Sequence, residues 1–423
     1  MTDFDTVDYF TDQSLIPDPY PYLEYLRGKC PVTHLPHHGV VAVTGHEEVM
    51  EVYRDKDTFS SCNSVTGPFP GLPVTPEGDD ISALIEQYRD QLPMSEYVVT
   101  QDLPTHADHR ALVMRVFSPK RVRENEAFMW RLADKQIDEF VGRGELEVLQ
   151  DYAKPFTALV IADLLGVPEE DRADFRKVLA TSHSAAEVGD DVRVHDPLAF
   201  LAGQFTSYVE DRRREPRDDV LTELATATYP DGTTPDVDVV VKMATFLFGA
   251  GQDTTARLIS STLRILAEHP DVQELLRNDR HRIPDFIEEA LRFESPVKCG
   301  FRMARVNTSL AGVDIPAGAT IALFVSAANR DPGRFEAPTE FHPDRPTARE
   351  HVAFGRGIHS CPGGPLARVE AQVTLERFFD RTIDIKISEI AHGPADARRY
   401  EFTPSYTGRG LQALHLEFTP FPE

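Results

Sequence analysis

Phe354-Gly355-Arg356-Gly357-Ile358-His359-Ser360-Cys361-Pro362-Gly363-Gly364 is the stretch on which the reading of this chain turns. It fits the pattern FxxGxxxCxG, a cysteine closing a glycine-rich turn. Pro362 suits the first position of a helix, where a missing N–H costs nothing. The following LARVEAQVTLERFF is amphipathic, so a helix is expected from Pro362 onward. Cys361 then faces unpaired N–H groups and the positive end of that helix, and both favour thiolate. Gly355 and Gly357 let the backbone pass close to a flat ligand. A lone cysteine in such a turn is more often buried and inert; here the flanking pattern favours a metal ligand.

One hundred residues upstream, the apolar spacing predicts a helix from about Pro235 to His269, with Thr234 as N-cap and Pro270 as the stop. Its stripe runs through Val240, Met243, Ala244, Leu247, Gly251, Leu258 and Thr262, with little charge mid-way. So long a helix must cross the interior. Within it, Ala250 and Gly251 are small, and Thr254 can bond back to a carbonyl one turn earlier. Asp253 beside Thr254 sets an acid next to an alcohol, a pair able to pass protons through water. Taken alone, the pair reads more readily as a salt-bridged aspartate and a structural threonine.

Composition sets the bounds. The 423 residues are 41% hydrophobic and 27% charged, which is ordinary for a globular chain. No run of 18 apolar residues occurs. The acidic start MTDFDTVDYF lacks a signal peptide's basic and apolar regions, so a cytoplasmic protein is expected. The net charge of −25 makes nucleic acid a poor partner. Cys30, Cys62, Cys299 and Cys361 form no CxxC pair, which argues against a disulfide framework or structural zinc. No repeat or linker divides the chain, so a single domain over 1–423 is expected. Strand-like pieces lie at Val32–Leu35 and Gly39–Thr44. Helical patterns dominate from Pro104 to about Glu289, including Ala127–Val141 and Phe156–Leu165, and short strands follow Arg302. The Gly/Pro-rich segment from Gly67 opens a long loop, 67–93, with a helix-like insert DDISALIEQYRDQLP, a candidate lid.

The cysteine loop resembles that of the cytochrome P-450 family, in its soluble bacterial form, and the resemblance extends in order over nearly the whole chain. It implies a mainly α fold, a helical prism with small antiparallel β-sheets. It implies haem b, with Cys361 as the iron ligand; a thiolate there pushes electron density onto the metal and favours O–O cleavage. Leu247–Thr255 resembles the family's oxygen-activation motif, with Asp253 and Thr254 as catalytic residues. Pro104–Arg110 resembles its PxHxxxR segment, so His106, Arg110, Arg302 and His359 are implied as partners of the haem propionates. Ala250, Phe354, Gly355 and Gly363 join the cofactor set.

An ExxR pair, Glu289 and Arg292, is ordinarily a surface ion pair. The resemblance implies instead a buried network with Arg345 of the FHPDR segment. Arg115, Lys120, Arg121, Arg123 and Arg356 form a local basic cluster in an acidic chain. By resemblance it receives an acidic ferredoxin, and attraction would speed encounter; a merely solvated helix face is the alternative.

The resemblance places Val98, Val99, Phe246, Ala250, Thr254, Val297 and Tyr406 around the substrate. The implied activity is hydroxylation of a small hydrophobic or aromatic molecule by a monooxygenase using O2. Two electrons would come from a ferredoxin and its NAD(P)H-dependent reductase. The competing readings are a peroxide-using haem peroxygenase and a non-catalytic haem-based binding or sensor protein.

Overall fold

From Met243 to Gln252 the chain carries no charged side chain, so one helix can pass through the interior without burying a charge. In the computed structural model, which describes residues 4–172, 199–229 and 231–422, that helix is Val237–Glu268, 32 unbroken residues. It begins after Asp236, two residues later than expected. Pro235 stays outside, its carbonyl accepting from Arg213, and Thr234 does not cap. The long helix packs against the helices Lys154–Leu165, Ala199–Arg214 and Gly364–Arg381. Lys154–Leu165 stops as expected at Gly166, whose φ of +78° is left-handed. Part of the expected helical region, residues 173–198, lies outside the described residues.

Among the described residues, ten short strands flank the helices. The five-stranded sheet runs β1 (Val32–His34), β2 (Val40–Val43), β8 (Thr320–Leu323), β5 (Gly300–Ala304), β3 (Phe59–Ser60). It is not purely antiparallel: β2 and β8 run parallel, Val41 opposite Ile321. Strand alternation explains its two covered faces. Val41, Val43, Ile321 and Leu323 join one apolar cluster, while Val40, Ala42 and Ala322 join the other. A parallel strand pair buried on both faces reads as a continuous apolar run, as VVAV does. A second sheet, β4 (Glu145–Glu147), β10 (His415–Pro420), β9 (Thr382–Ile387), closes the C-terminal side of the main core.

The expected insert forms a helix, Ser82–Tyr88, and a short turn, Arg89–Gln91. Ile81, Ile85 and Leu92 are buried with Cys62 and Met303, and the Ile81 N–H bonds the Arg305 carbonyl at 2.8 Å. The insert is thus packed down on β5.

Candidate functional site

Two glycines shape the Cys361 loop. Gly355 and Gly357 take φ of +62° and +72°, a region that strains any side chain. A Cβ on Gly357 would stand 2.2 Å from the Tyr53 carbonyl oxygen. The Cys361 N–H closes the loop on the Phe354 carbonyl at 2.9 Å. Arg368 lies over the Phe354 ring, 4.5 Å from its centre. Glu288 holds Arg368 at 2.5 Å and His351 at 3.1 Å. Burial opposes ionisation of Glu288, but these two partners hold its carboxyl down at about 2.

Cys361 lines a cavity of about 350 Å³. The helix behind it starts at Gly364, with Pro365 in its first turn, rather than at Pro362. The N–H groups of Gly363 and Gly364 still serve the sulfur. Burial nevertheless raises the thiol pKa, outweighing those N–H groups, Arg110 and Arg368. The expected pull of these N–H groups toward thiolate is present, but burial is the larger effect. A metal ion bound to the sulfur would displace the proton.

Four cationic or donor side chains converge on the same cavity: His106, Arg110, Arg302 and His359. The two imidazole rings are 4.0 Å apart, and the Nε2 atom of each is buried without a hydrogen-bond partner. Burial, together with the nearby guanidinium groups, pushes His106 down to about 4 and His359 to about 2. Burial lowers Arg110 and Arg302 as well. Arg110 spends one nitrogen on the Ser360 carbonyl at 2.6 Å, and Arg302 one on the Phe301 carbonyl at 2.6 Å. So many buried donors with so few acceptors call for an anion.

The long helix supplies Phe246, Ala250 and Thr254 to the cavity. The Thr254 hydroxyl donates to the Ala250 carbonyl at 2.9 Å, the expected back-bond, yet the helix is not interrupted. Val98, Val99 and Val297 also line the cavity, as do Phe354, Gly355 and Gly363. Asp253 does not. It is about half exposed and paired with Arg257 at 2.7 Å. Tyr406 is a second correction: its ring packs among Phe10, Phe69 and Phe301, its hydroxyl donates to the Thr66 carbonyl at 3.0 Å, and it is not in the cavity wall. The lid is a third, since no residue of 67–93 lines this cavity.

Among the described residues no group of three His, Cys, Asp or Glu side chains is placed to hold a bare metal ion. A metal on Cys361 must bring its other ligands. A thiol, orphaned donors for carboxylates and mainly apolar walls together fit an iron porphyrin.

The family model described as "Cytochrome P450" matches residues 174–381. Cytochrome P450 144 of Mycobacterium tuberculosis is 35% identical over 98% of this chain and 92% of its own length. The chain belongs to the cytochrome P450 family. The substrate-free Mycobacterium marinum cytochrome P450 CYP150A6 superposes with a TM-score of 0.94 at 56% identity, covering 99% of this chain and all of that one. CYP109E1 of Bacillus megaterium, solved with corticosterone, gives 0.79 at 27% identity, covering 96% and 100%. The fold is thus that of a cytochrome P450, the cofactor is haem b, and the activity is that of a haem-thiolate monooxygenase.

The expected network behind the haem site of this P450 is present. Arg292 meets Glu289 at 2.7 and 2.8 Å, and Arg345 meets it at 3.0 and 3.1 Å. The basic cluster is less uniform than its sequence suggests. Arg121 is largely buried and tied to Glu223 at 2.6 Å, with Glu124 and Asp218 beside it. Arg356 bonds the carbonyls of His351 and Gly355 at 2.7 and 3.2 Å. Lys120 pairs with Glu124 at 3.6 Å. Of this cluster, only Arg115 and Arg123 are exposed without an ion-pair partner among the described residues. Sequence reading missed Arg368, Tyr53 and Phe117, which lie against the loop or in the cavity wall. Arg368 sits four residues after Gly364 on an identifiable helix, so its position could have been found; nothing marks Tyr53.

Proposed function

We propose that this P450 hydroxylates a small hydrophobic or aromatic molecule, using O2 and two electrons from a ferredoxin with its NAD(P)H-dependent reductase. One oxygen atom enters the C–H bond; the other leaves as water with two protons. The observation that carries the reading is a single cavity shared by the Cys361 sulfur, the Thr254 hydroxyl and an apolar wall.

Cys361 holds the iron, and His106, Arg110, Arg302 and His359 take the propionates. When bound, haem supplies the oxidising chemistry. Ala250 leaves room beside the long helix. Thr254 can exchange its Ala250 bond for a water and present a proton to the cavity. Asp253, on the same helix but outside the cavity, is the outer proton source; its pair with Arg257 must loosen for a proton to pass. Val98, Val99, Phe246 and Val297 exclude water and hold an apolar ligand. Arg115, Arg123 and Lys120 offer an acidic donor its landing surface. No described helix is long and apolar enough to cross a membrane; donor and acceptor are proposed to meet in the cytoplasm.

Corticosterone in CYP109E1 supports including polycyclic ligands in the test. Terpenes, aromatics, fatty acids and corticosterone are titrated into the ferric protein while the Soret band is followed. A spin-state shift with an apolar ligand, followed by ferredoxin-dependent NADH oxidation and a hydroxylated product, is expected. Turnover with hydrogen peroxide alone, at a rate the ferredoxin system does not exceed, would favour the peroxygenase reading.

A further inference from the structure

Beside the propionate donors lies a second cavity of about 520 Å³, with Glu86, Arg89, Gln101, Asp102, Thr105 and Arg305 in its wall. Asp102 is the centre of this region. Its side chain is 8% exposed, and four donors saturate it. Arg89 reaches Oδ2 at 2.8 Å, Arg305 at 2.6 Å and the Ser60 hydroxyl at 2.5 Å. The Ser61 N–H reaches Oδ1 at 2.9 Å. Arg89 comes from the 67–93 insert, where Glu86 clasps it at 2.6 and 2.9 Å. It also donates to the Thr100 carbonyl at 3.1 Å.

The clamped segment, Thr100-Gln101-Asp102, leads directly to the haem edge. The Asp102 carbonyl accepts the His106 N–H at 2.9 Å, just after the start of the helix Thr105–Val116. The His359 ring lies against the Gln101 backbone. Both histidines whose Nε2 atoms lack partners thus hang on one two-residue segment. That segment is fixed in turn by two guanidinium groups on one carboxylate.

We propose that Asp102, held by Arg89 and Arg305, is a positioning residue for the haem propionates, and that Arg89 makes the 67–93 insert part of the haem site. The proposal rests on reading His106 and His359 as propionate donors. Partners that orient such donors carry weight well beyond their distance from the metal. Asp102 also lies close enough to stabilise the positive charge of Arg302.

The test uses the ferric holoprotein. Haem transfer to excess apomyoglobin gives the loss rate, and redox titration gives the iron midpoint potential. Asp102→Asn should lose haem about tenfold faster. It should also shift the potential upward, because removing a negative charge beside buried cations favours the state with the extra electron. Arg89→Gln should speed haem loss in the same direction, and Arg89→Lys should restore it in part. A lowered melting temperature with unchanged haem loss and potential in Asp102→Asn and Arg89→Gln would overturn the proposal, leaving a plain structural brace. Should Asp102→Asn not fold, Arg89→Gln decides by the same two readouts. His106→Ala is run alongside: wild-type haem retention there would overturn the propionate reading, and the positioning role with it.

Discussion

Glu289 and Arg292 form two hydrogen bonds of 2.8 and 2.7 Å, one turn apart on the helix Ile283–Phe293, with neither side chain exposed. Arg292 spends its remaining N–H groups on the carbonyls of Asn329, Pro338 and Glu340. Asn329 in turn accepts the Val352 N–H at 2.7 Å, which ties the pair to the start of the cysteine loop. Breaking a buried pair by removing one partner leaves an uncompensated charge, at a cost of about 3–5 kcal/mol. Arg292→Ala should therefore fold poorly. Chemical denaturation should show that loss of stability, and a smaller fraction of the purified protein should carry haem.

Replacing the sulfur of Cys361 is expected to abolish the thiolate spectrum. Cys361→Ser leaves the loop glycines and the Arg368–Phe354 contact in place. The protein should stay folded while its reduced, carbon monoxide-treated absorption moves away from that of the wild type. An unaltered spectrum would exclude Cys361 as the ligand.

Thr254 faces the cavity and Asp253 does not, so their variants should differ. Thr254→Ala removes the only hydroxyl this pair offers to the cavity. It should keep consuming reductant while releasing peroxide. Asp253→Asn should slow turnover with less peroxide, and its solvent isotope effect should rise, because it acts at a proton-supply step. Equal peroxide yields from Thr254→Ala and wild type would remove Thr254 from the relay.

Glu370 is buried and burial raises its pKa well above the usual carboxylate value; one oxygen has no hydrogen-bond partner. A folded pKa above the unfolded value means that stability is fully present below the unfolded pKa, 4.5, and falls as pH rises beyond it. Glu370→Gln abolishes that dependence. Its melting temperature should gain on the wild type between pH 4.5 and pH 8, and thermal scans across that range check the sign.

Gly357→Ala joins a left-handed backbone to a Cβ only 2.2 Å from the Tyr53 carbonyl oxygen. The clash is with main chain, which cannot rotate away. The backbone strain alone costs about 1–3 kcal/mol, and relieving the contact must move the loop. Haem occupancy should fall together with melting temperature. Gly28→Ala, with open space around its Cβ and no left-handed φ, is the control and should match the wild type.

Much of this was legible in the chain itself. FxxGxxxCxG marks the turn around Cys361, because the backbone there needs glycine at positive φ whatever surrounds it. The charge-free middle of the long helix announces its burial, and Glu289 with Arg292 sits at a spacing that the helix period enforces. The misses have a common physical source. Tyr406, Arg121 and Arg356 were assigned from their place in the sequence, but where a side chain points depends on the elements that close over it. Asp253 adjoins Thr254 in sequence, yet successive residues of a helix project about 100° apart, so only one of them enters the cavity.

The sequence by itself determined the long helix and the glycine turn around Cys361, because these rest on local backbone requirements and periodicity. Only the tertiary structure decided which cations remain unpaired beside the haem edge, which are consumed by neighbouring carboxylates, and that the 67–93 insert is fastened to Asp102. Those outcomes depend on groups far apart along the chain, such as Arg89 and Arg305 on one carboxylate. No local pattern encodes which distant charges folding will bring within 3 Å of each other.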